Sequence, residues 1–120
     1  MILVIFTMNK ERVRKMSNRV IAVDFDGCLC SNRWPMIGKA NNDAIRSLIC
    51  RREQGARLIL WTCRTGALLN EAVTWCSRHG LVFDAVNEGL PERVAQYGGD
   101  TRKVHADEYW DDRAVKIYCG

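Results

Sequence analysis

Asp24 and Asp26 stand one residue apart at the end of an apolar run, in the stretch RVIAVDFDGCLC, and Gly27 follows at once. Two carboxylates that close repel each other and are costly to desolvate unless a cation offsets them. A second acidic pair, Asp111 and Asp112, follows Tyr109 and Trp110 near the end of the chain. Between the two pairs, Thr62 ends the run RLILWT and is followed by Cys63 and Arg64. Asn87 and Glu88 follow LVFDAV, and Lys103 opens KVHADEYW. An all-oxygen ligand set suits a hard dication, above all Mg²⁺, and makes Asp24, Asp26, Asp111 and Asp112 the candidate metal ligands. A threonine hydroxyl and a lysine ammonium suit non-bridging phosphate oxygens. Phosphoryl transfer is mostly positioning and charge neutralisation, which these groups supply if the fold gathers them.

The elements between these residues decide whether they meet. Residues 20–25 read as a buried strand. Residues 27–40 read as a loop, broken by Gly27, Pro35 and Gly38. Asn41 is positioned to cap a helix that buries Ala44, Ile45, Leu48 and Ile49 and stops at Gly55. Residues 57–62 form a second strand. Thr65 is a candidate cap for a second helix burying Leu68, Leu69, Ala72, Val73 and Cys76, with His79 at its carboxyl end before Gly80. Residues 81–86 are a third strand, 91–97 a short helix opened by Pro91, 103–110 a fourth strand and 114–118 a short fifth. Strands alternating with helices predict an α/β domain, a Rossmann-like three-layer sandwich around a mainly parallel sheet. Ligands of such sheets gather beyond the carboxyl ends of the strands, where the four acids, Thr62 and Arg64 fall.

At 120 residues, 48% of them apolar, the chain has the composition of one globular domain. No apolar run approaches the ~20 residues that span a bilayer, so no membrane partner is expected. The net charge of +4 comes from Lys10, Arg12, Arg14, Lys15 and Arg19 set against Glu11, and the rest balances. Residues 1–18 therefore read as a basic, flexible extension or as sequence upstream of a start at Met8 or Met16, and 19–120 as the domain. The body shows no basic face for nucleic acid. The six cysteines form no C-x-x-C pair, which argues against structural zinc and for reduced, mostly buried thiols in a cytoplasmic protein.

On these residues the sequence resembles the haloacid dehalogenase-like superfamily. DFDG is similar to its first motif, LILWT to its second, Lys103 to its third and YWDD to its fourth, in the family's order and across about residues 19–113. The resemblance implies a small member without a cap domain, because the segments 27–40 and 63–102 leave no room for one. It implies a Mg²⁺-dependent phosphohydrolase working through an aspartyl-phosphate. Asp24 would be the nucleophile. Asp26 would be the general acid and base and would give a backbone carbonyl to the metal. Thr62 would hold the phosphate, Lys103 would neutralise Asp24 and the phosphoryl group, and Asp111 would bind Mg²⁺ with Asp112 beside it. Cys28 stands where the family often has threonine. The substrate is a phosphorylated small molecule or macromolecule at an open site, or at one covered by a second subunit.

Plainer roles exist for single residues. Arg64 is either a contact to substrate phosphate or a surface residue flanking a helix. Arg33 and Trp34 could line the site, although Trp34 reads as packing. Asn87 and Glu88 are candidate specificity residues, His105 a strand residue, and Trp61, Trp75 and Trp110 core. Asp107 and Glu108 compete with Asp111 and Asp112 as the metal pair, but YW leads into the latter as a strand would. Two other functions remain open. One is a receiver-like phospho-acceptor domain, which normally carries its acidic pair on strand one and its phosphorylated aspartate on a middle strand. The other is a non-catalytic binding module using the basic extension.

Overall fold

The computed structural model describes residues 17–119; most of the basic extension, residues 1–16, lies outside them. Strand β1 (Val20–Val23) is four consecutive buried aliphatic residues. A strand buried on both faces needs apolar side chains at every position, and this one has them. Its parallel partners are β4 (Arg57–Leu60) on one side and β6 (Glu108–Trp110) on the other. Strand β5 (Ala85–Val86) pairs in parallel with β4, giving the order β5-β4-β1-β6.

Alternation along the strands divides the core in two. Ile21, Val23, Phe25, Leu58 and Leu60 pack with Ile45 and Leu48 of helix α1 (Asn42–Glu53) and with Ala72 and Cys76 of helix α2 (Gly66–Arg78). Val20, Ala22 and Ile59 pack on the other face with Ala85, Leu90, Val104 and Ala106. Leu90 leads into helix α3 (Pro91–Tyr97), which has its proline in the first turn. The chain is thus α/β, with a parallel sheet between α1 and α2 on one face and the α3 segment on the other.

Helix α1 starts as expected: the Asn41 side chain accepts from the Ala44 N–H at 3.3 Å, and Asp43 and Arg51–Arg52 complement the helix dipole at its two ends. Thr65 precedes α2 but makes no capping hydrogen bond with its side chain. His79 closes α2, its Nδ1 2.8 Å from the Trp75 carbonyl.

The structure departs from expectation in several places. The segment 27–40 is a β-hairpin, β2 (Cys30–Arg33) and β3 (Met36–Ala40). Its bulge requires Gly38, where a Cβ would collide with the Ser31 carbonyl. The third strand shrinks from 81–86 to two residues and the fourth from 103–110 to three, for one shared reason. The Leu58 N–H donates to the Asp84 carboxylate at 2.8 Å and the Val20 N–H to Asp107 at 2.7 Å. Side chains therefore occupy donors that longer neighbouring strands would have paired. No strand forms over 114–118: the Arg113 N–H closes a turn onto Asp111 at 2.9 Å, and residues 114–119 run exposed. Finally, Trp34 is 61% exposed, while Trp61, Trp75 and Trp110 only border the core. His105 lies outside any strand, its ring 5.3 Å from that of Tyr97.

Among the described residues no helix is long and apolar enough to cross a membrane. All six cysteines are free, three of them exposed.

Candidate functional site

The chain runs from β1 to β4 to β5 on one side and then returns to place β6 on the other side of β1. The order of strands therefore switches at β1, and the crevice beyond the carboxyl ends of β1 and β6 is the position where such sheets hold ligands. Asp24 leaves β1 there, its N–H bonded to the Trp110 carbonyl at 2.9 Å, so the first residue past β1 is stitched to the last residue of β6. Asp111 and Asp112 continue from β6. Ligand oxygens of Asp24, Asp111 and Asp112 all lie within 4.8 Å of one another.

The turn after Asp24 fixes its direction. The Phe25 N–H donates to Asp24 Oδ1 at 2.8 Å. The Phe25 ring is buried edge-on against Trp75, with centroids 5.4 Å apart. The N–H groups of Cys28 and Leu29 both return to the Phe25 carbonyl. Gly27 takes a left-handed φ of 82°, and a Cβ there would strike the Asp112 carboxylate. The turn therefore favours glycine at this position, and the end of the exposed Asp112 side chain lies close against it.

Burial, with acids on either side, raises the proton affinity of Asp24. The Asp24 carboxyl is pushed up to about 6, chiefly by desolvation and then by the negative charges of Asp111, Asp112 and Asp26. The same surroundings push the Cys28 thiol up to about 12, so it is neutral and unreactive. A divalent cation would relieve the repulsion on Asp24 directly. The donor set is all oxygen and anionic, which fits a hard cation.

The raised value has a sign that can be checked. Between about pH 4 and pH 6 the folded chain holds the Asp24 proton more tightly than the unfolded chain does. Stability from this group is therefore present at low pH and lost as pH rises through about 6. In metal-free buffer the melting temperature of Asp24→Asn should exceed that of the wild type by a margin that widens from pH 4 to pH 7. Mg²⁺ should narrow it. A margin independent of pH would contradict the charge cluster.

Across the crevice, Asn87 braces the loop after β4. Its Oδ1 accepts from the Thr62 N–H at 2.8 Å and its Nδ2 donates to the Arg64 carbonyl at 3.3 Å, from a backbone at φ 53°. The Thr62 hydroxyl accepts from the Arg64 N–H at 3.1 Å, which leaves its own proton to donate to a ligand. Asn87 is therefore a structural brace, and its lack of charge at a strand end is the only sequence signal for it.

Arg64 is neither exposed nor at the surface. It is 1% exposed and forks onto Asp26, Nε to Oδ2 and Nη2 to Oδ1, both at 2.8 Å. The Asp26 side chain thus faces Arg64 and stands apart from the three-acid cluster. Lys103 is exposed, with Nζ 5.4 Å from the centre of the Tyr109 ring, and the charges acting on Asp24 are all negative. Asp107 and Glu108 serve the opposite end of the sheet: Asp107 caps Val20, and Glu108 pairs with Arg19 at 2.7 Å and Arg51 at 2.8 Å. Arg33 and Glu88 are exposed at the surface.

Fold and site together define a parallel α/β protein with an acidic, cation-competent crevice at its topological switch. No protein-family model matches the chain, and no curated protein does. The solved structure of a conserved protein from Bacteroides thetaiotaomicron matches it at 42% identity, over 82% of this chain and 79% of that one, with a TM-score of 0.73. The chain belongs to the same family as that conserved protein.

Proposed function

We propose that this protein is a Mg²⁺-dependent phosphohydrolase of the haloacid dehalogenase-like kind, with a Rossmann-like core and no cap domain. The observation that carries the reading is the convergence of Asp24, Asp111 and Asp112 within 4.8 Å at the switch between β1 and β6. Asp111, Asp112 and one oxygen of Asp24 would hold Mg²⁺, with the Asp26 backbone carbonyl. When bound, the ion supplies positive charge to the phosphoryl oxygens and cancels the repulsion among the acids.

The remaining chemistry belongs to the chain. An Asp24 oxygen attacks phosphorus, and the bond from phosphorus to the leaving oxygen breaks. Asp26, protonated on an oxygen lone pair that Arg64 leaves free, gives that proton to the leaving oxygen, releasing an alcohol and leaving an aspartyl-phosphate. A water then attacks the same phosphorus, Asp26 takes its proton, and Asp24 is regenerated with inorganic phosphate. Thr62 donates its hydroxyl to a phosphoryl oxygen. Lys103, on a long exposed side chain, would swing from Tyr109 to the phosphoryl group when substrate arrives. The receiver-like alternative is disfavoured because the acidic pair Asp111–Asp112 follows the last strand, and because Asn87, after the edge strand β5, is uncharged and spent on the Thr62–Arg64 loop.

The test is hydrolysis of p-nitrophenyl phosphate by the purified protein with and without Mg²⁺. Turnover that appears with Mg²⁺ and vanishes with chelator is expected. No turnover on this ester or on a panel of phosphorylated metabolites would overturn the reading.

A further inference from the structure

We propose that Arg64 is a positioning residue that ties the Asp26 carboxylate to the tip of the β2–β3 hairpin, so that the proton donor and the hairpin tip move as one unit. The role given to Asp26 rests on the phosphohydrolase reading; the tie itself rests on geometry alone.

Arg64 is the only charged residue buried among the described residues. Its guanidinium is spent on protein groups along both edges. Nε and Nη2 take the two oxygens of Asp26 at 2.8 Å. Nη1 donates to the Pro35 carbonyl and Nη2 to the Met36 carbonyl, both at 3.1 Å. The plane lies over the Phe25 ring, 5.0 Å from its centre. The Arg64 backbone is pinned as well, its N–H on Thr62 Oγ1 and its carbonyl under Asn87 Nδ2. One residue thus joins the turn after β1, the hairpin tip, the phosphate-side loop after β4 and the end of β5.

This arrangement differs from a substrate-binding arginine, whose donors would point into the crevice. A planar fork with donors on two edges can hold a carboxylate and two carbonyls at once, whereas lysine presents three donors from a single point. The hairpin tip carries Trp34 and Met36, 61% and 68% exposed. A leaving group protonated by Asp26 would lie beside them.

Arg64→Lys and Asp26→Asn test the tie by two independent readouts. The first is kinetic, with phenyl phosphate and 2,4-dinitrophenyl phosphate as substrates. Protonation of the leaving oxygen matters for phenol and hardly at all for dinitrophenol. Arg64→Lys should therefore lower kcat/KM, which reports the step that expels the leaving group, by about 100-fold on phenyl phosphate and by less than about 10-fold on the dinitrophenyl ester, within the range general acid catalysis supplies. The double variant should lose little more than Asp26→Asn alone, because the two residues act as a unit. An equal loss on both esters overturns the assignment.

The second readout is amide hydrogen exchange of the unmodified chain and of each variant, which needs no activity. Exchange across residues 31–39 should accelerate in both variants relative to β1 and β4. If neither variant changes hairpin exchange, the tie is wrong. If the wild type hydrolyses neither ester nor any phosphorylated metabolite of the panel, the phosphohydrolase reading falls, and exchange alone still decides whether Arg64 holds the hairpin.

Discussion

Asp24→Asn should lower turnover by about 10⁴-fold or more and leave the fold intact. The magnitude is that seen when an enzyme loses the atom that forms its covalent intermediate, with binding and electrostatic groups left in place. The fold should survive because asparagine keeps the shape of the side chain and an oxygen to accept the Phe25 N–H, now bonded at 2.8 Å. It also removes a charge that Asp111, Asp112 and Asp26 oppose. Loss of activity together with an undiminished melting temperature separates a chemical role from a structural one. No neighbour can substitute, since Asp26 is forked onto Arg64 and the other two acids would be taken up by the proposed cation. Steady-state assays at saturating Mg²⁺ decide the point, and a variant that kept more than a tenth of wild-type turnover would remove Asp24 as nucleophile.

Removal of the cation should have an effect nearly as large. With EDTA, turnover should fall to background and return on addition of excess Mg²⁺. Asp111→Ala and Asp112→Ala should each lower turnover at fixed Mg²⁺ by about 10²-fold or more, the scale of losing one preorganised electrostatic element. Each should also shift the Mg²⁺ titration to higher concentration. The Asp112 carboxylate lies close to Gly27, whereas Asp111 accepts from the Arg113 N–H at 2.9 Å. Both are exposed, so neither substitution should unfold the protein. Full turnover in EDTA would place the chemistry elsewhere.

Much of this architecture is legible in the residues themselves. Val20–Val23 and Arg57–Leu60 declare themselves by aliphatic runs too short for helices. Asn41 marks a helix start through its side-chain acceptor, and Gly55 and Pro91 mark helix ends through their backbone conformations. The site acids are legible because each pair comes directly after an apolar run, and a parallel sheet collects the residues at its carboxyl edge. Three features are hidden for physical reasons. The hairpin over residues 30–40 faces solvent on much of its surface, so it lacks the alternation that marks a half-buried strand, and its glycine and proline read as breaks. The shortened strands near Asp84 and Asp107 depend on a side chain replacing a backbone carbonyl, a choice set by tertiary geometry. Arg64 is the sharpest case. Its burial requires Asp26, Pro35 and Met36 to arrive together from 28 or more residues away, and no local pattern announces that.

Covalent capture at Asp24 tests the proposed chemistry most directly. Protein mixed with a phosphorylated substrate and Mg²⁺ is acid-quenched during turnover and reduced with tritiated borohydride, which converts an aspartyl-phosphate to homoserine. Label should appear in the peptide that contains residue 24, require Mg²⁺, and be missing from Asp24→Asn. Turnover without label at residue 24, or label at another acid, would contradict nucleophilic attack by Asp24.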